Sequence, residues 1–163
     1  MGHWEAAKRV LRYAKGTIGE GLGYTLGEDI VVWGYNNAGY GSDADKGRCG
    51  YVFLSGGAAV NWGSKLQDAV ALSSTEVEFM AISHAMQVEM YLRMLQREMR
   101  INSKEGGTLM LVDNLSNIKL AKNPVFHKRS KHIAVRFHFI REKIEKGEMI
   151  YSLSDFWLWQ LIG

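Results

Sequence analysis

The stretch CGYVFLSGGAAVNWGSK, residues 49–65, decides the fold of this chain. Two runs rich in β-branched, aromatic and other apolar residues, 49–55 and 58–64, flank the pair Gly56-Gly57. Such a pair between strand-like runs is typical of a tight β-hairpin, because glycine adopts the positive φ angles that the turn needs. The stretch therefore predicts two antiparallel strands at the start of a sheet.

The residues on either side of the hairpin extend this sheet and cover it. Upstream, IVVWGY (30–35) is a third strand-like run, and the polar stretch NNAGYGSDADKGR joins it to the hairpin. Downstream, Ser73 or Thr75, with Glu76 or Glu78 three residues later, has the pattern of a capping box and predicts a long helix. The predicted apolar face of this helix comprises Val77, Met80, Ala81, Ile82, Met86, Tyr91, Met94 and Leu95.

The second half of the chain alternates strands with helices. TLMLVD (108–113) is a short apolar strand, NLSNIKLAKNP is a short helix that ends at Pro124, and KHIAVRFHFIREKIEKGE is a longer helix. In this last helix, Ile133, Phe137, Ile140 and Ile144 form one apolar stripe, and MIYSLS follows as a strand. The predicted fold class is α/β: a five-stranded mixed sheet, with three antiparallel strands and then parallel additions, flanked by helices.

An extra helix over residues 3–15 precedes the sheet, so the chain divides into three predicted parts. Residues 1–29 are the N-terminal helix and a glycine-rich linker, residues 30–152 the folded domain, and residues 153–163 an apolar tail. The N-terminal helix carries Lys8, Arg9, Arg12 and Lys15 against Glu5. This pattern is typical of a basic surface helix and, alternatively, of a mitochondrial presequence.

The composition limits the compartment and the partners. The chain has 163 residues, a net charge of +3 and one cysteine, Cys49, so no intrachain disulfide forms and a reducing cytoplasmic or nuclear compartment is expected. No apolar run approaches the roughly 20 residues of a membrane span, so no membrane partner is expected. The mild basic charge is compatible with nucleic acid without requiring it.

Four motifs together resemble the ribonuclease H domain of copia-type LTR retrotransposon Pol polyproteins. They are the opening stretch, VALSSTEVEFMA, LVDNLSNIKLAKNPVFHKRSKHI and RFHFIREKIEKGE, in the order and spacing of that family. HWEAAKRVLRYAKGT is similar to the family segment that joins the reverse transcriptase to this domain. The resemblance implies a ribonuclease H-like fold and a nuclease with two divalent metal ions, Mg²⁺ or Mn²⁺, held by acidic side chains.

The resemblance also implies where those acids would lie, and two of the four are missing. The family pattern GYCDADWAGD matches GYNNAGYGSD here, so its first metal-binding Asp falls on Asn37 and its second Asp on Gly39. The glutamate of SSTE falls on Glu76 and the acid of DN on Asp113, whereas the last acid, in KHIDIRYHFIRE, falls on Ala134. An amide lacks the charge of a carboxylate and alanine lacks any ligand, so cleavage is expected to be weak or absent.

Both retained acids also fit purely structural roles. Glu76 has the position of a helix-capping glutamate, and Asp113 that of an acid that caps the next helix. Asp43 and Asp45, in the polar stretch after the first strand, are possible substitute ligands. If any metal binds, Glu76 and Asp113 are the expected ligands, and an inactive protein needs no cofactor.

Two surface features suggest partners. Basic residues between 128 and 146 include the predicted phosphate-binding set Lys128, Arg129, Lys131 and Arg136, although a solvated helix face with salt bridges accounts for them equally well. The tail DFWLWQLIG departs from the family, and Trp157 and Trp159 are predicted either to pack on the domain itself or to contact a partner or a second copy.

Three hypotheses of function follow from this pattern. The first is a standalone, host-adopted ribonuclease H-like pseudoenzyme that binds a protein or an RNA–DNA hybrid, as an inhibitor, toxin or antidote would. The second is a weak Mg²⁺- or Mn²⁺-dependent endoribonuclease that acts on the RNA of RNA–DNA hybrids. The third is a folded relic without function.

Overall fold

The computed structural model describes residues 2–25, 30–39, 46–67, 73–101, 106–112 and 131–153; of residues 131–134 it describes the backbone alone. The elements are α1 (His3–Gly16), β1 (Trp33–Gly39), β2 (Arg48–Ser55), β3 (Ala58–Leu66), α2 (Ser74–Glu98), β4 (Thr108–Val112), α3 (Lys131–Glu145) and β5 (Met149–Leu153). The predicted short helix before Pro124 lies outside the described residues.

The five strands form one mixed sheet in the order β3-β2-β1-β4-β5. β1 pairs antiparallel with β2, and β2 antiparallel with β3, while β4 is parallel to both β1 and β5. Gly56 and Gly57, between β2 and β3, have φ angles of 60° and 86°, which suit the tight turn. The predicted fold class and the extra N-terminal helix are confirmed.

β1 differs from its predicted boundaries in a way that matters for the site. The strand was expected at 30–35, but it runs from Trp33 to Gly39 and includes both asparagines. Asn36 pairs with Tyr51, and Asn37 pairs with Gly50. Backbone pairing with β2 holds these polar residues in the sheet, where side-chain propensity alone favours a loop.

The core lies between one face of the sheet and helices α2 and α3. Phe53, Met86, Met110 and Ile140 are almost completely buried within one apolar cluster, and the rings of Phe79 on α2 and Phe137 on α3 lie 5.8 Å apart. The predicted apolar face of α2 is correct through Met86. Its later members Tyr91, Met94 and Leu95 are exposed, because the buried face of this half of the helix instead carries Glu89, Leu92 and Gln96.

A polar cluster ties α2 to the amino ends of β4 and β5. Glu89 is 3% exposed and accepts hydrogen bonds from Arg93 Nε at 2.9 Å and from Thr108 Oγ1 at 2.6 Å. Arg93 Nη2 also donates to the Glu148 carbonyl oxygen at 2.7 Å. A buried carboxylate with a charged partner and a second donor is well satisfied, so this cluster fixes α2 against the sheet.

Helix α1 buries none of its residues. Trp4, Leu11 and Tyr13 are each at least 66% exposed. The connection that follows contacts the hairpin, because Tyr24 Oη donates to the Ala59 carbonyl oxygen at 2.8 Å and Thr25 N–H to that of Gly56 at 3.0 Å. Among the described helices, none combines the length and apolar character needed to cross a bilayer.

Candidate site at the carboxyl edge of the sheet

The topology brings the predicted site residues to one edge of the sheet. β1, β4 and β5 are parallel, so their carboxyl ends, at Gly39, Val112 and Leu153, share this edge. β3 runs in the same direction as β1, and α2 begins a few residues after its end. Asp113 directly follows Val112 in the sequence and lies outside the described residues.

Local contacts hold the first turn of α2 at this edge. Ser73 caps the helix, since its Oγ accepts a hydrogen bond from Glu76 N–H at 3.3 Å. Gln67 Nε2, just beyond β3, donates to the Val77 carbonyl oxygen at 2.8 Å. Glu76 is therefore the third residue of the helix, 7% exposed, in the position where the helix dipole favours a negative charge.

Asn36 and Asn37 lie on opposite faces of the sheet. Asn36 is 4% exposed, and its Nδ2 donates to the Gly50 carbonyl oxygen at 3.4 Å. Its cross-strand neighbour Tyr51 packs against His84 of α2, with ring centroids 5.4 Å apart, so Asn36 shares the face that α2 covers. Asn37 is half-buried on the other face, and its Oδ1 accepts from Ala38 N–H at 2.6 Å.

This arrangement makes Asn36 an alternative to Asn37 for the position of the first family acid. The sequence pattern placed that acid at Asn37 and treated Asn36 as a neighbour, an assignment that stays a prediction. Glu76 belongs to the helix on the Asn36 side of the sheet. Side chains alternate between the two faces along a strand, so a strand predicted to extend through Asn36 and Asn37 would have placed them on opposite faces. The predicted strand ended at residue 35 and therefore did not reveal this difference.

The donors described at this edge do not by themselves fit a two-metal centre. Within the described residues, no group of three or more His, Cys, Asp or Glu side chains is placed to hold a metal ion. On the α2 face, Glu76 supplies one carboxylate and Asn36 one amide, whereas two divalent ions require several carboxylates. Asp43, Asp45 and Asp113 lie outside the described residues.

The phenols beside the asparagines are neutral. Burial raises the pKa of Tyr35 and of Tyr51 above the usual 10.0, and the charge of Cys49 adds to the effect at Tyr51. Both groups keep their protons at physiological pH. They add no negative charge to the edge of the sheet near Asn36 and Asn37.

One more acid follows a strand that ends at this edge. β5 ends at Leu153, at the same edge as β1 and β4, and Asp155 comes two residues later in the sequence. Like Asp113 after β4, Asp155 lies outside the described residues. Ala134 belongs to the first turn of α3, which precedes β5, and its side chain lies outside the described part of the chain.

The predicted basic surface is described only in part. Lys128 and Arg129 lie outside the described residues, Lys131 is placed by its backbone alone, and Arg136 is half-buried on α3. Further along α3, Arg141 pairs with Glu145 at 3.2 Å, and Lys146 pairs with Glu142 at 2.6 Å. This part of the helix therefore matches the alternative of a solvated, ion-paired face. Trp157 and Trp159 lie outside the described residues.

Comparison with known proteins identifies the family. The chain is 41% identical over 145 residues to the retrovirus-related Pol polyprotein from transposon TNT 1-94 of Nicotiana tabacum, which covers 88% of the chain and 11% of the polyprotein. It is 34% identical over 149 residues to the polyprotein from transposon RE2 of Arabidopsis thaliana, and the match covers 90% of this chain and 10% of that polyprotein. The fold matches the protease–reverse transcriptase of prototype foamy virus, with a TM-score of 0.60, 14% identity, and 94% of this chain and 19% of that one covered.

The chain belongs to the ribonuclease H-like domains of copia-type retrotransposon Pol polyproteins. It spans about a tenth of the length of these relatives. The ribonuclease H-like fold also matches LC11-RNase H1, isolated from compost and solved with an RNA/DNA hybrid, with a TM-score of 0.54, 10% identity, and 78% and 87% of the two chains covered. No family model matches the sequence.

A shorter relative carries part of the same domain. Secreted RxLR effector protein 161 of Plasmopara viticola is 43% identical over 97 residues, which are 58% of this chain and 68% of the effector. The matched region makes up most of the effector, whereas it makes up about a tenth of a Pol polyprotein.

Proposed function

We propose that this chain is a retrotransposon-derived ribonuclease H-like domain that binds nucleic acid and cleaves it weakly or not at all. The observation that carries the proposal is the pair of amides at the end of β1. Asn36 and Asn37 stand at the edge that also holds Glu76, where the family pattern has an acid. The loss of this carboxylate weakens divalent metal binding, because hard cations prefer charged oxygen ligands.

Binding does not depend on those acids. In the ribonuclease H fold, LC11-RNase H1 was solved with an RNA/DNA hybrid, which supports a similar partner for this chain. Lys128, Arg129, Lys131 and Arg136 are the proposed phosphate contacts, and such contacts give affinity without reading sequence. Residual cleavage, if present, would use Glu76 and Asp113, with Asp155 as a further candidate ligand, and would require Mg²⁺ or Mn²⁺.

One experiment separates binding from cleavage. A labelled RNA–DNA hybrid is incubated with the protein in Mg²⁺ and in Mn²⁺, and both retention and strand length are measured. We expect retention that falls steeply with salt, together with an intact RNA strand. Robust cleavage by the wild type that disappears in Glu76→Gln would overturn the proposal in favour of an active nuclease.

A second candidate function is contact with a protein, and the effector relative favours it. That relative has most of its own length in common with this domain, so the domain sequence occurs outside a full polyprotein. The proposed contact is the tail, through Trp157 and Trp159, either with a partner or with a second copy. A partner captured equally at low and high salt, and lost on Trp157→Ala, would support this candidate over nucleic-acid binding.

A further inference from the structure

A cavity of about 460 Å³ opens on the sheet face opposite α2. Its volume lies within the range of roughly 300–1,000 Å³ that is common for small-molecule sites. Its lining includes Tyr35, Asn37, Arg48, Gly50, Trp62 and Ser64. The described helices α2 and α3 pack on the other face, so this cavity is distinct from the site around Glu76.

The strand register explains why these side chains meet. Tyr35, Val52 and Trp62 form one row across β1, β2 and β3, and Asn37, Gly50 and Ser64 form the next row on the same face. Gly50 occupies the centre of the second row without a side chain. Within the described part of the chain, a Cβ atom built there would come within 4 Å of only the Gly63 carbonyl oxygen, at 3.9 Å, so no described atom fills the space above Gly50.

The groups around this opening combine a flat aromatic surface with a cation and an amide. Trp62 is 64% exposed, although it lies on a strand rather than on a loop. Arg48 is exposed, and it makes no ion pair with another residue in the described ranges. Asn37 engages its Oδ1 with a backbone N–H, and its Nδ2 is a donor. An Asp at this position would repel a phosphate, whereas the amide does not.

We propose that this cavity binds one nucleotide of a single-stranded nucleic acid. The base stacks on Trp62, the phosphate pairs with Arg48, and Asn37 donates to the base edge. Stacking on an exposed aromatic requires an unpaired base, which a duplex does not offer. The proposal rests on the proposed nucleic-acid-binding function, names a ligand class for it, and places the contact away from the metal-binding edge.

The test measures fluorescence anisotropy of a short labelled single-stranded oligonucleotide with the full chain. We expect Trp62→Ala to weaken binding by roughly 5- to 150-fold, the range for removing one stacking aromatic, and Trp62→Phe to restore most of it. Gly50→Val fills the cavity and is expected to weaken binding similarly. Arg48→Ala is expected to reduce the slope of log affinity against log salt by about one.

Trp4→Ala is the matched control, because Trp4 is 70% exposed on α1, far from β3 in the chain. Circular dichroism shows whether Gly50→Val folds, and Trp62→Ala tests the same site without filling it. Wild-type affinity in the folded Trp62→Ala variant would overturn the cavity site. If that variant keeps the wild-type affinity for the single strand and the wild type binds the hybrid, the proposed function stands while this inference fails. If the wild type binds neither hybrid nor single strand, both fail.

Discussion

Asn36 and Asn37 are consecutive residues of β1, yet their side chains lie on opposite faces of the sheet. Asn36 is buried on the side of α2, and Asn37 lines the cavity beside Gly50 and Trp62. The two positions therefore differ in what a carboxylate would do. At Asn36 it would lie on the Glu76 side of the sheet as a candidate metal ligand, whereas at Asn37 it would lie in the cavity near Arg48 and repel an anionic ligand.

Restoring a carboxylate at each position distinguishes the two faces. We expect Asn36→Asp to raise the Mg²⁺ affinity by at least the roughly tenfold that even an outer-shell partner contributes, because its side chain lies on the Glu76 side. Isothermal titration calorimetry with Mg²⁺ measures the change. Asn37→Asp combined with Ala134→Asp is the matched comparison. A larger gain in that double variant would favour the assignment made from the sequence pattern.

Tyr151 on β5 gives a prediction at alkaline pH. The residue is half-buried as a whole, but its hydroxyl oxygen is buried and has no hydrogen-bond partner among the described residues. Burial, with a smaller contribution from Glu89, raises the pKa of Tyr151 well above its usual 10.0. The folded state therefore keeps a proton that the unfolded chain loses above that pH.

The free energy of unfolding of the wild type is consequently expected to fall above pH 10, by up to about 1.4 kcal/mol per pH unit from this group. Below that pH both states are protonated and Tyr151 contributes no slope. Urea unfolding at several pH values measures the difference between wild type and Tyr151→Phe. We expect Tyr151→Phe to be as stable at neutral pH and to lack this slope. Parallel curves for the two proteins would contradict the burial of the hydroxyl.

At the scale of elements, α1 contrasts with α2, because it buries nothing. Its apolar residues at helical spacing predicted the helix correctly, but they have no described surface of this domain to cover. The linker is different, since Tyr24 and Thr25 bond to the hairpin. The predicted boundary at residue 29 stays a prediction, while these bonds attach at least residues 24–25 to the sheet.

Removal of residues 2–16 tests this difference. We expect the truncated chain to keep its free energy of unfolding within about 0.5 kcal/mol, as for changes that touch no packed group. Tyr24→Phe, which loses the hydrogen bond to Ala59, is expected to cost about 1 kcal/mol and serves as the comparison. Thermal or urea unfolding measures both. A larger loss for the truncation than for Tyr24→Phe would show that α1 packs on the domain.

At the scale of the whole molecule, the topology of the sheet determines where the candidate site lies. Parallel β1, β4 and β5 end at one edge, and α2 starts there, so residues far apart in the sequence leave the sheet together. The relatives share this domain as about a tenth of a polyprotein. Within the described part of this edge, Glu76 is the buried carboxylate, and the amides of Asn36, Asn37 and Gln67 lie at the same edge.

Much of this fold follows from the sequence because its signals are local. The Gly56-Gly57 turn, the Ser73 cap and the strand-like runs each depend on neighbours within a few residues. The end of β1 was misplaced because asparagine and glycine favour loops, and pairing with β2 and, at Asn36, with β4 overrides that preference. The apolar positions of α2 were correct up to Met86 and wrong after it, since two of the buried positions that follow are the polar Glu89 and Gln96, which an apolar pattern does not predict.

Residue identity and spacing along the chain were enough to predict the order of the described elements and the family, while the absence of two family acids stays a prediction. Strand pairing, in contrast, determines which asparagine faces Glu76, since a single step in register exchanges the two faces of a sheet. Tertiary packing also brings Glu89, Arg93 and Thr108 into one buried cluster, and places Trp62 beside an open space above Gly50. Such contacts join residues from different strands and helices, so they depend on pairing between distant segments and leave no local signal in the sequence.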